Sequence, residues 1–216
     1  MPKIFVGLPA YGRMNCADTT GSLYELGVTL GMNGLFGGFG LMGYPDIVKV
    51  RNVFVTKFFE KTDATHILQI DADMRFSSKM IIDMLDFQKP VVGAIYRRRS
   101  DHGWVGSKIE GEVPQNGFLK VEGVGAGVLL ISRECLQTMK EHFPPVQSVH
   151  AKTAGLTHLF PFFDPVTVDG EELSEDLSFC HRWRSIGGEV FASVAHDVGH
   201  IGPWDFHGRY QDQFNA

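Results

Sequence analysis

The pattern of hydrophobic and polar positions in the first two-thirds of the chain alternates between short β-rich runs and stretches with helical periodicity. This alternation is typical of an α/β domain with a largely parallel sheet. We predict strands at "KIFVGLP", "HILQI", "VVGAIY" and "GAGVLLIS", and a last strand at "EVFASVAH".

Capping residues mark where the predicted helices begin. Asp46 is the predicted N-cap of a helix that ends near residue 61. Its apolar residues recur at steps of three and four, which predicts one buried stripe: Ile47, Val50, Phe54 and Phe58. Other helices are predicted at about residues 19–30, after Ser77 or Ser78, after Ser132, and within "ELSEDLSFCHRWRSIGG".

Two stretches give no clear signal. The segment "GMNGLFGGFGLMGYP" is apolar but so rich in glycine that it predicts a loop with one short strand at most. Residues 145–170 lack periodicity. Because no repeat, low-complexity tract or linker divides the 216 residues, we expect one domain spanning residues 1–216.

Charge and cysteine usage exclude several classes of protein. A formal net charge of -5 argues against a general nucleic-acid or membrane-surface binder. The three cysteines are far apart and form no C-x-x-C pair, so they predict neither a disulfide framework nor a thiolate zinc site. The N-terminus lacks the apolar region of a signal peptide, and the longest apolar stretch is only half a membrane span. We expect a soluble protein of the cytoplasm.

Paired carboxylates come directly after the predicted strand "HILQI", where Asp71 and Asp73 flank one alanine. Ligands of α/β sheets bind at the carboxyl ends of strands. Two carboxylates this close repel each other unless a cation or hydrogen-bond donors share the site, and oxygen ligands suit Mg²⁺ or Mn²⁺ carrying phosphates. The alternative is that Asp71 caps a turn and Asp73 faces water. The apolar strand ahead and the helix behind favour the metal site.

Three chemistries share the D-x-D pattern. A calcium loop of the EF-hand type fails, because Arg75 and Phe76 stand where it needs a further ligand and glycine. Aspartyl-nucleophile phosphatases of the haloacid-dehalogenase type use D-x-D-x-T/V, and Arg75 in the last place weakens that reading without excluding it. The third is the nucleotide-sugar-dependent glycosyltransferase, whose D-x-D holds a metal across a diphosphate.

The order of five motifs carries a resemblance to a known family. "THILQIDADMRF", "VGAIY", "GVGAGVLLISRE", "SEDLSFCHRWRSIGG" and "GHIG" occur in the order used by GT-A fold glycosyltransferases. From about residue 4 to 208 the chain resembles family-2-like members from bacteria, phages and large DNA viruses. The resemblance implies an α/β fold, GT-A type, with a single Rossmann-like domain and a mixed, mainly parallel central sheet.

The resemblance also implies an activity and a donor site. The activity is metal-dependent transfer of a sugar from a nucleoside diphosphate, with UDP first, to a hydroxyl of a glycan, protein or small molecule. Mn²⁺ or Mg²⁺ would be held by Asp71, Asp73 and His200. His200 is preferred to His196 because its sequence context matches the "H-x-G" motif of the family better. The implied contacts to the nucleotide sugar are Pro9, Tyr11, Arg13, Arg51, Asp71, Ala72, Asp73 and Arg97.

The acceptor side is implied by two further motifs. In "SEDLSF", Asp176 is the first choice for a catalytic base and Glu175 the second, although acids in a first helical turn also complement the helix dipole. Trp104 and the small residues Gly125 and Ala126 are the implied acceptor contacts. Loop anchoring and strand packing are the ordinary alternatives for these three positions.

Two other functions stay open on the sequence. A sugar nucleotidyltransferase needs a glycine-rich phosphate loop with lysine or arginine after the first strand, and "PAYGRMNCAD" has little of that. A nucleotide-sugar or glycan-binding module without turnover does not need the D-x-D and E-D pairs. The sequence does not identify the sugar, the acceptor, the stereochemistry or the oligomeric state.

Overall fold

The structure is a computed structural model, and it describes residues 1–100, 103–109 and 112–214. Within these residues, helices and strands alternate through the first half of the chain, and short strands close it. In chain order the elements are β1 (Ile4–Pro9), α1 (Ala17–Met32), β2 (Phe36–Met42), α2 (Ile47–Lys61), β3 (His66–Ile70), β4 (Met74–Arg75), α3 (Ser78–Asp86), β5 (Val91–Ala94), β6 (Tyr96–Arg97), β7 (Trp104–Val105), β8 (Ser107–Lys108), β9 (Phe118–Gly123), β10 (Val128–Ser132), α4 (Arg133–His142), α5 (Val149–Thr153), β11 (Thr167–Val168), β12 (Glu171–Glu172), α6 (Glu175–Ser185), β13 (Val190–Ser193), β14 (Val198–Ile201) and β15 (Asp205–Gly208).

Eight strands form one central sheet in the order β2-β1-β3-β10-β5-β13-β9-β8. β1 pairs in parallel with β2 and β3, and β5 pairs in parallel with β13. β10 and β9 run antiparallel to their neighbours, and the other strands of the sheet all point the same way. The predicted fold class, an α/β fold with a mixed and mainly parallel sheet, is confirmed.

Apolar side chains cover both faces of this sheet, because its central strands are sandwiched between helices. Ile4 packs on the face covered by α1 and α3, and Phe5, the next residue of β1, points into the core under α2. The predicted stripe of α2 is buried at Val50, Phe54 and Phe58. Within the described residues no helix is long and apolar enough to cross a membrane.

Three predicted N-caps are confirmed by their hydrogen bonds. The Asp46 carboxylate accepts from the backbone N–H of Lys49 at 3.1 Å, and this bond fixes the start of α2. Ser77 caps α3 and Ser132 caps α4 in the same way, each accepting from the N–H three residues ahead. Each cap satisfies one donor that the first helical turn leaves unpaired.

The strands differ from the sequence predictions in three places. The glycine-rich segment, for which the sequence predicts a loop with one short strand at most, forms the seven-residue strand β2 at the edge of the central sheet. Gly40 sits there because a Cβ would collide with the rings of Phe5 and Phe54. β9 is a strand that the hydrophobic pattern did not predict. "EVFASVAH" is not the last strand either, since β14 and β15 come after it.

Arg133 of α4 holds the carboxyl end of α2. Its Nε donates to the carbonyl of Ala64 at 2.7 Å, and its Nη2 donates to the carbonyls of Phe58 and Thr62 at 2.9 and 3.0 Å. The guanidinium also lies 4.1 Å from the centre of the Phe58 ring. One side chain therefore satisfies carbonyls that the end of the helix leaves without a partner.

We expect Arg133→Met to lower the free energy of unfolding by about 2 kcal/mol, since it removes three hydrogen bonds and a cation–π contact. Urea denaturation measures this loss. The matched control is Arg184→Met, an exposed arginine whose change is expected to stay within about 0.5 kcal/mol. Equal stability of the two variants would contradict the helix-end role of Arg133.

Candidate active site

Asp71 lies directly after β3 and is fixed by a buried arginine. Its backbone N–H donates to the carbonyl of Gly127 at 3.0 Å, and its Oδ1 accepts from Nη2 of Arg51 at 2.8 Å. Burial raises the pKa of Asp71, the arginine partly offsets this effect, and nearby Asp73 reinforces it. The first carboxylate of the D-x-D pair is thus held by a protein cation.

Arg51 reaches from α2 into the interior and is only 2 % exposed. Its Nε lies 3.3 Å from Oε1 of Glu175 at the start of α6, and its Nη1 lies 3.4 Å from Oε1 of Gln69. Burial lowers the pKa of Arg51, but Asp71 and Glu175 outweigh it and leave the pKa raised. Arg51 therefore joins the end of β3 to the start of α6 and does not face solvent.

Asp73 faces a different set of partners. Its Oδ2 lies 3.0 Å from Nη1 of Arg99 and 3.6 Å from Nε2 of His200. Its carbonyl accepts from the N–H of Ile201 at 2.7 Å, which ties the D-x-D turn to β14. Burial raises the pKa of Asp73, but His200 and Arg99 more than offset it and hold the pKa below its ordinary value.

His200 is oriented by a backbone carbonyl. Its Nδ1 lies 3.0 Å from the carbonyl oxygen of Arg97, which can only accept, so Nδ1 carries the proton. Nε2 is then the ring nitrogen that faces Asp73. His196 is occupied elsewhere, with Nε2 3.0 Å from Asp83 and Nδ1 3.0 Å from the hydroxyl of Ser193.

The donor set fits a divalent cation in part. Nε2 of His200 and the carboxylate of Asp73 lie 3.6 Å apart in the same cavity, and a carbonyl behind the ring is the usual outer support of a metal-bound histidine. Asp71, however, is bonded to Arg51. In the part of the chain that the structure describes, no group of three ligand-type side chains is placed to hold a metal. The expected trio of protein ligands is therefore not assembled, because the two aspartates face different partners.

These groups line one cavity of about 490 Å³ at the carboxyl ends of the strands. Half of the residues that line it were predicted from the sequence as site residues, and the other half were not. The predicted residues in the lining are Pro9, Tyr11, Arg51, Asp71, Ala72, Asp73, Glu175 and His200, and the others are Met14, Asn15, Cys16, Tyr44, Pro45, Ile47, Tyr96 and Arg99.

Arg13 lies in a neighbouring cavity of about 420 Å³. Tyr44 lines both cavities, so the two adjoin, and Lys49 and His150 add basic groups to the second. Arg13 has a positive φ of 61° and its side chain fills the space that a Cβ on Gly43 would need. The predicted nucleotide contacts after β1 therefore divide between two adjoining cavities.

The structure places Arg99, and not Arg97, in the first cavity. The guanidinium of Arg97 lies 4.0 Å from the centre of the Trp104 ring, and Tyr210 packs edge-on against the same ring at 5.2 Å. Trp104 thus anchors its own loop, and its acceptor role stays a prediction. Arg97 and Arg99 are two residues apart in "RRRS", a run that offers no signal for choosing between them.

The small residues at 125–127 pack around Tyr96. A Cβ on Gly125 or Gly127 would collide with the Tyr96 hydroxyl, and that hydroxyl accepts from the N–H of Gly127 at 3.3 Å. The carbonyl of Ala126 lies 3.4 Å from Nη1 of Arg51. Close packing thus accounts for the glycines, and the acceptor role of Gly125 and Ala126 stays a prediction.

The two candidate bases have different hydrogen-bond partners. Glu175 lines the cavity and pairs with Arg51. Asp176 accepts from the N–H of Leu177 at 2.8 Å and from the hydroxyl of Ser174. Its charge nevertheless contributes to the raised pKa of Arg51, so Asp176 lies within electrostatic range of the site. The structure brings Glu175, the second choice, into the cavity ahead of Asp176.

Comparisons with known proteins find similarity in structure only. No protein-family model and no curated protein sequence match the chain. A197 from STIV superimposes with a TM-score of 0.58 at 16% identity, covering 94% of this chain and 86% of that one. Weaker matches are a UDP-glucose pyrophosphorylase (TM-score 0.48, 9% identity, 100% and 97% covered) and a glycosyltransferase involved in the glycosylation of the major capsid of PBCV-1 (0.37, 13%, 63% and 63%).

Similarity at 16% identity shows the fold alone, and the chain shares the fold of A197 from STIV. The weaker structural neighbours include glycosyltransferases and nucleotide-sugar pyrophosphorylases. The evidence for a functional site comes instead from the residues of this chain, which form the cavity at the carboxyl ends of the strands and its charged lining.

Proposed function

We propose that this chain is a metal-dependent glycosyltransferase that uses a nucleoside-diphosphate sugar, with a UDP-sugar as the first candidate, and a hydroxyl acceptor. One observation carries the proposal. In a GT-A-like fold, Asp73, Arg99 and His200 meet in a cavity at the carboxyl ends of the strands. Mixed charges of this kind suit a diphosphate bound through a cation.

The nucleotide sugar is proposed to lie across the two adjoining cavities. The diphosphate occupies the first one, where Arg99 turns from Asp73 to the phosphate oxygens. The nucleoside extends past Pro9 and Tyr11 towards Tyr44, and Arg13 lies beyond it. Tyr11 is 74% exposed and offers a free ring face for stacking on the base.

Asp73 and His200 are the proposed protein ligands of Mn²⁺ or Mg²⁺, with phosphate oxygens and water completing the coordination. The bound cation would neutralise charge on the leaving diphosphate. Asp71 also lines the cavity, and its ion pair with Arg51 fixes the position of its carboxylate. Arg99 adds a positive charge next to Asp73, 3.0 Å from the carboxylate oxygen that also faces His200.

The acceptor hydroxyl is proposed to lose its proton to a carboxylate at the start of α6. Asp176 is the first candidate because its partners are a hydroxyl and an N–H, whereas Glu175 is bonded to Arg51. Glu175 is the second candidate because it lines the cavity. Asp176→Asn and Glu175→Gln, assayed for turnover with nucleotide binding as control, distinguish the two.

We expect one nucleoside diphosphate to raise the melting temperature, and only with a divalent cation. The panel is UDP, GDP, ADP and CMP, each with Mn²⁺ or with EDTA. A ligand at a hundred times its Kd stabilises the fold by about 2.7 kcal/mol, which a thermal scan resolves. Absence of a shift with every nucleotide contradicts the donor site.

Turnover separates the enzyme from the other functions. Release of the nucleoside diphosphate from the matching nucleotide sugar, in the presence of an acceptor, supports a glycosyltransferase. Binding without release over a panel of acceptors indicates a binding module. Pyrophosphate-dependent formation of nucleoside triphosphate from the same sugar nucleotide indicates a nucleotidyltransferase.

A further inference from the structure

The edge strand β2 presents an apolar surface to solvent. Phe36, Phe39 and Leu41 are each about half exposed, at 49%, 50% and 49%. Their partners in β1 are residues whose side chains pack under α1, so the three side chains lie on the α1 face of the sheet. Among the described residues, β2 pairs with β1 alone, which leaves the backbone groups of its outer edge without a strand partner.

One flank of α1 continues this surface. Ser22 and Glu25 bond to Phe76 and Ser78, so their flank of α1 faces α3. Since a helix turns once in 3.6 residues, Gly27 and Gly31 lie on the opposite flank, towards the sheet edge. A Cβ on either glycine would meet no described atom within 4 Å. Tyr24, which is 76% exposed, borders the same flank.

This surface lacks charged side chains and proline, which are two of the usual protections of an edge strand. Exposed edges normally carry charged side chains or proline, which prevent pairing with another chain. The sequence contains no charged residue between Glu25 and Asp46, although the whole chain has a net charge of -5. The first proline after Pro9 is Pro45, beyond the end of β2. After a register irregularity near the start of β2, residues 38–42 form a regular, uncharged edge that is open to pairing.

We propose that two copies of this chain join edge to edge through β2, so that the two central sheets form one continuous sheet. Antiparallel pairing of identical strands is two-fold symmetric, and each copy then supplies the surface that the other needs. Because β2 has no charged residue, the two β2 edges meet without like charges. A second copy of the chain is therefore the proposed partner, because the β2 edges of two copies can pair about a two-fold axis.

The apolar side chains of this surface supply about half of the area that each partner gives to a standard interface. The exposed parts of Phe36, Phe39, Leu41 and Tyr24 amount to roughly 400 Å². The backbone edge of β2 and the glycine flank of α1 add to this area, against about 800 Å² that each partner gives to a standard interface. Because the paired strands run in opposite directions, the two candidate active sites open at opposite ends of the joint sheet.

Sedimentation velocity over a dilution series tests the pairing. We expect a species of twice the 24.0 kDa monomer mass that dissociates on dilution. Phe39→Lys is expected to give a folded monomer at every concentration, because it places two like charges across the pairing, and Leu41→Lys is expected to do the same. The matched control is Val113→Lys, an exposed valine between β8 and β9, which should remain dimeric.

Amide hydrogen exchange tests whether the contact between the two copies covers the β2 edge. Protection of residues 36–42 that falls on dilution, and falls equally in Phe39→Lys, supports pairing through β2. A wild-type protein that is monomeric at every concentration overturns the proposal, whether or not these amides are protected. A dimer that survives both lysine substitutions overturns it as well, since the contact then lies on another surface.

Discussion

Replacing Asp73 with asparagine is expected to lower the rate of glycosyl transfer by about 10²–10³-fold while the fold stays intact. Asparagine keeps the shape of the side chain but removes the charge that the proposed cation needs, and losing one such electrostatic contact in a preorganised site has an effect of this size. Stability changes little, because the partner Arg99 is 47% exposed and exposed ion pairs contribute about 1 kcal/mol or less. Single-turnover rates and thermal scans measure both quantities.

Asp83→Asn is the matched control for Asp73→Asn. Asp83 also pairs with one basic side chain and one histidine, Lys79 at 2.6 Å and His196 at 3.0 Å, and it is similarly exposed. It belongs to α3 and lies outside the cavity lining. Its substitution is expected to leave turnover unchanged. If Asp73→Asn still bound nucleotide in a metal-dependent way, Asp73 would not be a ligand and the proposed site would have to be revised.

Replacing Arg51 with methionine is expected to lower the free energy of unfolding by about 3–5 kcal/mol, as is typical when one partner of a buried ion pair is removed. Arg51 is 2% exposed, and its guanidinium is shared between Asp71 and Glu175. Without it, the two carboxylates lie in the cavity wall, 29% and 19% exposed, with no positive charge between them. Urea denaturation measures the loss.

The triple variant Arg51→Met, Asp71→Asn, Glu175→Gln separates charge from packing. It removes the unpaired carboxylates together with the arginine, so most of the stability is expected to return, as found when buried ion pairs are replaced whole. Turnover is not expected to return, because the floor of the cavity has lost its charges. A loss below about 1 kcal/mol in Arg51→Met would show that water, and not Arg51, compensates the two carboxylates.

The sequence was most informative where structure depends on neighbours along the chain. The N-caps Asp46, Ser77 and Ser132 are local signals, because the bond runs between residues three apart. The D-x-D pair after β3 was also readable, because the residues directly after a strand lie at one edge of the sheet. The fold class was predictable from the same periodic pattern.

The site depended on contacts that are distant in the chain. The position of Arg51 depends on Asp71 and Glu175, two half-buried partners that lie 20 and 124 residues away in the chain. The selection of Arg99 over Arg97 depended on Trp104, whose ring is packed against Arg97. Neither partner is visible in the local pattern.

The segment that forms β2 is another case in which contacts distant in the chain decided the structure. Its glycines predict a loop by local propensity, but Gly38 and Gly40 are where the rings of Phe5 and Phe54 need space against the sheet. By itself, the sequence determined the order of most elements, their caps and the position of the paired carboxylates, because those depend on local hydrogen bonds and periodicity. Only the tertiary structure decided which side chains enter the cavity, since that depends on which elements meet and which charges they bring.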